Sequence, residues 1–262
     1  MRKSPTPGFG EICRATVTIY LLMALPAMFV PAHAEPLQAR IQHTETMPSV
    51  SPELRSGSQF NLNITSEAAN NRWVRIPNWL AGTWIVDNET TVSRQDCVTG
   101  QTSYASTYFK AKSRFTYGDQ RDREGAIWHY LGVPYCSATD FPGFTEYHQV
   151  SSKEFVENTP QRVAIKTQFA VVRVSKTTRQ VIETLQQESI TTYTFANVDQ
   201  LDMTSSTKVF NELGAARNIA CNQAAVGRAE PFTQIDRDGN KDLHQLFREF
   251  LLANNLQKLL PD

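Results

Sequence analysis

From Ala81 onward the sequence is rich in Thr, Val, Tyr, Phe and Ile, and clusters of turn-forming residues interrupt it at regular intervals. Such segments predict a mainly β protein whose strands are joined by short connections. We predict strands at residues 82–94, 101–117, 124–135, 143–150, 153–158, 161–175, 179–197 and 201–210. Because these connections leave little room for helical crossovers, neighbouring strands are expected to be antiparallel. The pattern favours an antiparallel up-and-down β-barrel of about eight strands.

Alternation along the strands indicates which side chains share a face. One face of the segment RVAIKTQFAVVRV carries Val163, Ile165, Thr167, Phe169 and Val171. The next strand repeats the period less cleanly, at Val181, Leu185, Gln187, Thr191, Tyr193 and Phe195. We take Phe169, Val171, Tyr193 and Phe195 as candidate cavity-lining residues. A register error of one residue would replace each of them by its neighbour, and a plain packed core is the alternative to a cavity.

The last segment changes to a helical period. In KDLHQLFREFLLANN, one stripe of a helix would carry Leu243, Leu246, Phe247, Phe250 and Leu251. Asp242, followed three residues later by Gln245, resembles a capping box. We therefore predict a C-terminal α-helix that buries its apolar stripe against the barrel wall.

The N-terminal region has the pattern of an export signal. Three basic residues precede or open an apolar run at residues 15–30, which is followed by Ala-His-Ala before Glu35. This run is shorter than the roughly 20 apolar residues that a spanning helix needs. We expect residues 1–34 to be cleaved, leaving no integral membrane segment in a periplasmic or secreted protein.

The rest of the chain divides into two parts. Residues 35–72 are polar and have no sustained apolar period, which predicts a flexible leader that docking can order in part. A partner-binding arm is the functional alternative. Residues 73–262 would form the barrel domain with its closing helix.

Charge and cysteine content narrow the possibilities further. The chain has 26 Lys and Arg residues and 26 Asp and Glu residues, so it lacks the excess of basic residues that is typical of proteins with a nucleic-acid partner.

Export would remove Cys13 and leave Cys97, Cys136 and Cys221, which predicts one disulfide and one thiol. In an up-and-down order Cys97 and Cys136 lie at the same end of the sheet, so we favour that pair, with Cys221 as the alternative partner.

The sequence NWLAGTW at residues 78–84 resembles the first lipocalin signature, in which a short N-terminal helix leads to Gly-x-Trp on the first strand. The resemblance implies that Gly82 allows close backbone approach and that Trp84 plugs the barrel floor. It also implies that an Arg from beyond the last strand packs over this Trp. Arg217 lies in the corresponding region, and Lys208 is a second possibility.

Catalytic and metal-binding alternatives have weaker support. DRDGNKDLHQLF matches the early oxygen ligands of an EF-hand, but Lys241 replaces the turn glycine and Phe247 replaces the last carboxylate. His129 and His148, with Glu146, are a further possible metal or base site. Neither a Gly-x-Ser-x-Gly elbow nor a His-Glu-x-x-His helix occurs. We therefore assign no catalytic residue, metal or cofactor.

These observations favour an exported lipocalin-like protein that binds or carries a small hydrophobic or amphipathic molecule. The alternative is a non-enzymatic structural or interaction module of the cell envelope, with a filled barrel and a protein partner. Large side chains at every inward position would favour the interaction-module hypothesis.

Overall fold

The computed structural model describes residues 42–61 and 72–261 of the chain. The predicted signal peptide at residues 1–34 and part of the predicted leader lie outside these residues. Within the two described ranges, no helix has both the length and the apolar character that crossing a membrane requires.

The described chain is mainly β-structure and has one α-helix near its C-terminus, α1 at Leu243–Ala253. The strands, in chain order, are β1 (Trp73–Ile76), β2 (Gly82–Asp96), β3 (Thr102–Ser103), β4 (Thr107–Tyr117), β5 (Gln120–Arg121), β6 (Ile127–Tyr130), β7 (Tyr135–Phe141), β8 (Phe144–Asn158), β9 (Arg162–Ser175), β10 (Val181–Asn197), β11 (Gln200–Asn211), β12 (Ala216–Glu230), β13 (Arg237–Asp238) and β14 (Lys241–Asp242). The predicted mainly β class and C-terminal helix are confirmed.

A nine-stranded sheet, the large sheet, forms most of the fold, and its described strand pairs are all antiparallel. Strands β7 to β12 follow one another in sequence order, and β12 then pairs with β2. Both β3 and β4 pair with the opposite edge of β2. The predicted antiparallel order is confirmed for these consecutive strands.

The described strands do not form a closed ladder. The sheet ends at β4 on one side and β7 on the other, and no described pairing joins these two edges. After β4 the chain leaves the large sheet to form β5 and β6, which with β1 make a three-stranded small sheet. It then enters the large sheet at the far edge. The predicted strand at residues 124–135 therefore belongs largely to a different sheet.

Two other strands differ from the predictions. Residues 143–150 and 153–158 form the single strand β8, in which a register shift between Val150 and Ser152 marks an irregularity. Strand β12 was not predicted, because its sequence ARNIACNQAAVGRAE contains few β-branched and no aromatic residues. It is held instead by ladders to β11 and β2 on its two sides.

The small sheet separates two apolar clusters. Along β6, Ile127 packs toward the large sheet, whereas Trp128 and Tyr130 pack with α1. The buried α1 residues Leu243, Phe247 and Leu251 complete the second cluster. The Asp242 side chain accepts a hydrogen bond from the Gln245 backbone N–H at 2.9 Å and caps the helix. The Gln245 side chain bonds Glu249 instead of closing a capping box.

Residues 42–61, here called the strap, lie against the opposite face of the large sheet. Val50, Leu54 and Phe60 pack against Val172 and Val181 of β9 and β10. Backbone hydrogen bonds between Gly57, Ser58 and Val181 fix the end of the strap beside β10. One face of the sheet is thus covered by the strap, and the other faces the small sheet.

Candidate functional site: a trough on the large sheet

The face of the large sheet that meets the small sheet is identified by paired residues. Val163, Tyr193 and Met203 face one another across β9, β10 and β11, and all three belong to one buried apolar cluster. Because paired residues share a face and side chains alternate, the register extends this face along each strand. Six polar residues next to the cluster face the same way: Thr167, Ser189, Thr191, Ser205, Thr207 and Asn222.

These six residues, of which five carry a hydroxyl group and Asn222 carries an amide, form what we call the hydroxyl row. Each of them is half-buried. Ser189 and Thr207 are joined by a hydrogen bond of 3.1 Å between their hydroxyl groups. The hydroxyl row and the apolar cluster beside it make up a trough with one apolar end and a polar middle. Such a surface can contact both parts of an amphipathic molecule.

The apolar end is made of buried side chains. Its fully or almost fully buried members are Ile76, Leu80, Ala81, Trp84, Val86, Tyr117, Ile127, Val163, Ile165, Tyr193, Leu201, Met203 and Val226. The Trp84 indole N–H donates to the Leu80 carbonyl at 2.8 Å, so its polar atom is satisfied within the core. Aromatic side chains of Phe115 and Phe155 border the cluster.

Gly82, Trp84 and Arg228 form a compact structure at this end. Gly82 has φ +125°, and a Cβ atom there would lie 2.6 Å from the Glu230 carbonyl oxygen. The Arg228 guanidinium lies 4.1 Å from the Trp84 ring centroid and donates to the carbonyls of Val198, Ala81 and Trp79. A cation over the indole face is favourable, and the three carbonyls hold it in place.

The cation over Trp84 therefore belongs to Arg228, which corrects the assignment of this role to Arg217. Arg217 is exposed near the start of β12, and Arg228 is near its end. Lys208 contacts the Phe210 ring and the strap carbonyl of Thr44. Because β12 was not recognised as a strand, the sequence could not show that Arg228 is opposite Trp84 in the β2–β12 ladder.

A polar cluster lies where the small sheet approaches β8. His129 Nδ1 is 2.7 Å from Asp119 Oδ2, and Lys153 Nζ is 3.4 Å from His129 Nε2. The Tyr130 backbone N–H also donates to Asp119 Oδ2. Since an ammonium group can only donate, His129 Nε2 accepts and its Nδ1–H donates to Asp119. Burial lowers the pKa of His129, which favours this neutral form.

Two tyrosines adjoin this cluster. The hydroxyl groups of Tyr117 and Tyr193 are 3.4 Å apart, and Lys153 Nζ lies 5.2 Å from the Tyr117 ring centroid. Tyr193 belongs to the apolar end. Burial there raises the pKa of its hydroxyl group to about 12, so the hydroxyl group is neutral at pH 7. Burial also lowers the pKa of Lys153, with the charge of Asp119 opposing this effect.

The β2–β12 side of the trough supplies hydrogen-bond acceptors. Burial raises the pKa of Glu89, and a hydrogen bond with Asn222 acts in the opposite direction. Among the described residues, no donor reaches the buried Asn222 Oδ1 atom. A hydroxyl or amide group of a bound molecule could donate to it.

The register places the four cavity candidates on the same face of β9 and β10, but they lie in different parts of it. Tyr193 lies in the apolar end, and Val171 is buried farther along β9. Phe169 stacks on His148, with ring centroids 5.9 Å apart, and packs beside Val150. Phe195 is 42% exposed and contacts Trp79 near the end of β10. A register shift between Val181 and Glu183 places Val181 on the strap side instead.

The histidines and cysteines of the other candidate sites have the following partners. His148 bonds Glu146 at 2.9 Å, while His129 is paired with Asp119. Cys97, Cys136 and Cys221 are all free thiols, so the predicted Cys97–Cys136 disulfide is wrong for this structure. The reason is topological: Cys97 follows β2 near one edge, whereas Cys136 lies on β7 at the other edge. Within the described ranges, no group of three or more His, Cys, Asp or Glu residues could hold a metal ion.

A groove of about 710 Å³ opens where the β2–β12 ladder is interrupted. Small residues Ala224, Ala225 and Gly227 form part of its lining. Asp87, Asn88, Thr90, Tyr108, Asp202, Thr204 and Gln223 contribute most of its polar boundary. Its position follows from the strand irregularity, and the register places Asp202 and Thr204 on the face opposite the hydroxyl row.

No protein-family profile, curated protein or solved structure matches this chain.

Sequence reasoning missed Lys153, Asp119 and Asn222. The irregularity in β8 shifts the inward positions from His148 and Val150 to Lys153, which an uninterrupted alternation would place on the other face. Asp119 lies in a segment predicted to be only a turn, and Asn222 lies in the unrecognised strand β12. The irregularity at residues 151–152 has a weak sequence signal in the paired serines.

Proposed function

We propose that this protein binds and carries a small amphipathic molecule in the trough. The observation that carries the proposal is the hydroxyl row: six half-buried polar side chains adjoin a buried apolar cluster on one face of the large sheet. Apolar contact would supply most of the binding free energy, and the polar residues would fix the orientation of the molecule.

The proposal includes a distant relationship to lipocalins and a barrel-like arrangement of the large sheet. Support comes from the consecutive antiparallel strands, the Gly82–Trp84 entry to β2 and the cation over the Trp84 ring. The predicted export signal supports a place of action in the periplasm or outside the cell. The groove is a separate candidate, because its lining residues Asp202 and Thr204 lie on the face opposite the hydroxyl row.

The alternative, an envelope interaction module with a filled interior, predicts that the trough has no binding capacity. The mixed size of its residues favours the carrier: Ser189 and Ser205 are small, whereas the neighbouring Ile165 and Tyr193 are large. Small polar residues on an inward face leave space that bulky residues would occupy.

Binding can be tested by isothermal titration calorimetry with decan-1-ol and decanoate as probes. Thr191→Phe would place a ring in the trough, and Thr204→Phe places the same ring on the opposite face of the adjacent strand. We expect at least one probe to bind, Thr191→Phe to weaken it by roughly tenfold or more, and Thr204→Phe to have little effect. Absence of binding by both probes, or equal weakening by both variants, would reject the trough as the carrier site.

A further inference from the structure

We propose that Lys153 binds the acidic head group of the carried molecule, so that the trough selects amphiphiles with a carboxylate over neutral ones. This inference rests on the carrier function proposed above and specifies its ligand class.

The position of Lys153 follows from the β8–β9 register. Lys153 pairs with Thr167 of the hydroxyl row, and Phe155, two residues farther along β8, pairs with Ile165 of the apolar end. The side chain of Lys153 reaches toward Tyr117 and His129 from this position. Its ammonium group is thus located at the boundary between the polar and apolar parts of the trough.

The charge of Lys153 is incompletely compensated. Among the described residues, no carboxylate lies within ion-pair distance of its Nζ atom. The nearby Asp119 accepts from His129 and from the Tyr130 backbone. The His129 imidazole lies between Asp119 and Lys153, and the charge of Asp119 raises the pKa of Lys153 without direct contact. A ligand carboxylate could pair directly with the half-buried ammonium group.

The hydrogen-bonding capacity of Lys153 leads to the same conclusion. An ammonium group has three donors, and one is directed to His129 Nε2. The remaining donors can bind the oxygens of one carboxylate while the imidazole holds the lysine in position. Hydrogen bonds between charged groups are stronger than those to a neutral hydroxyl. The arrangement therefore favours an acid over the corresponding alcohol.

A second lysine shows what a compensated site looks like in this fold. Lys166 Nζ lies 2.9 Å from the fully buried carboxylate of Glu188, on the strap side of the sheet. Strap residues His43 and Thr44 complete that cluster. No carboxylate of the described residues lies within ion-pair distance of Lys153, which distinguishes a lysine with a structural partner from one available to a ligand.

The test compares decanoate with decan-1-ol, which share the same chain and differ in the head group. Binding of both is measured by calorimetry to the full mature chain and to Lys153→Met, Lys153→Arg and Lys112→Met. Lys112 is an exposed lysine on β4, so its substitution is the matched control. Circular dichroism of each variant before titration verifies that it is folded.

We expect the wild-type protein to bind decanoate more tightly than decan-1-ol, and Lys153→Met to weaken decanoate binding roughly 10- to 100-fold with little effect on the alcohol. Lys153→Arg should retain a preference for the acid, and Lys112→Met should behave as the wild type does. Equal binding of acid and alcohol, or an unchanged preference in folded Lys153→Met, would overturn the inference while leaving the carrier function standing. If neither probe binds, both proposals fail.

Discussion

The imidazole of His129 joins Lys153 to Asp119: its Nε2 atom lies 3.4 Å from the lysine Nζ, and its Nδ1 atom lies 2.7 Å from the aspartate carboxylate. This arrangement connects the small sheet to β8 of the large sheet. It holds a cation beside the hydroxyl row without a direct ion pair. The small sheet therefore contributes to the candidate site as well as to the core.

Arg228 is expected to stabilise the apolar end. Arg228→Met would remove the guanidinium over Trp84 and leave three carbonyls without their donor. We expect the free energy of unfolding to fall by roughly 2–4 kcal/mol, measured by urea denaturation. Arg217→Met is the matched control on the same strand and should change it by less than about 0.5 kcal/mol. Equal effects of the two substitutions would contradict the role given to Arg228.

Gly82 should be intolerant of any side chain. Its positive φ is unfavourable for other residues, and a Cβ atom would collide with the Glu230 carbonyl oxygen. We expect Gly82→Ala to lower the free energy of unfolding by roughly 2 kcal/mol or more. Gly227 has no atom within 4 Å of an added Cβ, so Gly227→Ala serves as the control. A thermal melt showing equal losses for both variants would refute this explanation.

Strap docking should depend on pH through Glu188. Burial would raise the pKa of this carboxyl, but hydrogen bonds from Lys166, Thr44 and Gln168 outweigh it and lower the pKa from 4.5 to about 2. A lowered folded-state pKa stabilises the fold above the unfolded value. This stabilisation is lost as pH falls from about 4.5 to about 2, and corresponds to roughly 3 kcal/mol.

The comparison of wild type with Glu188→Gln measures this linkage. The variant should be less stable at pH 7, and the difference in unfolding free energy should shrink as the pH is lowered from 5 to 2. Glu154→Gln, an exposed substitution on β8, provides the control and should track the wild type. Parallel stability curves for the wild type and Glu188→Gln across this range would exclude the proposed linkage.

The sequence predicts features that depend on local periodicity. The stripe ending in Leu251 predicts α1, and alternation along β9 correctly places Val163 and Ile165 on one face. Features that depend on distant pairing are not predicted. Strand β12 lacks the usual β-forming residues, and the irregularity before Lys153 reverses the phase of β8.

The disulfide prediction has the same origin. The predicted pairing requires consecutive strands to be neighbours, but the chain forms the small sheet between β4 and β7. Cys97 and Cys136 are consequently assigned to opposite margins of the large sheet. A local pattern cannot show such a detour, because the β-forming residues of WVRI and IWHY do not indicate which sheet they join.

Chemical-shift mapping of the ¹⁵N-labelled protein during titration with decanoate tests the central claim most directly, since it locates the ligand on one of two faces. If the trough binds decanoate, amide shifts will centre on Thr167, Ser189, Thr191 and Lys153 and will saturate with a single affinity. Perturbations centred instead on Asp202, Thr204 and Ala225, which line the groove, or no saturable shifts at all, would contradict it.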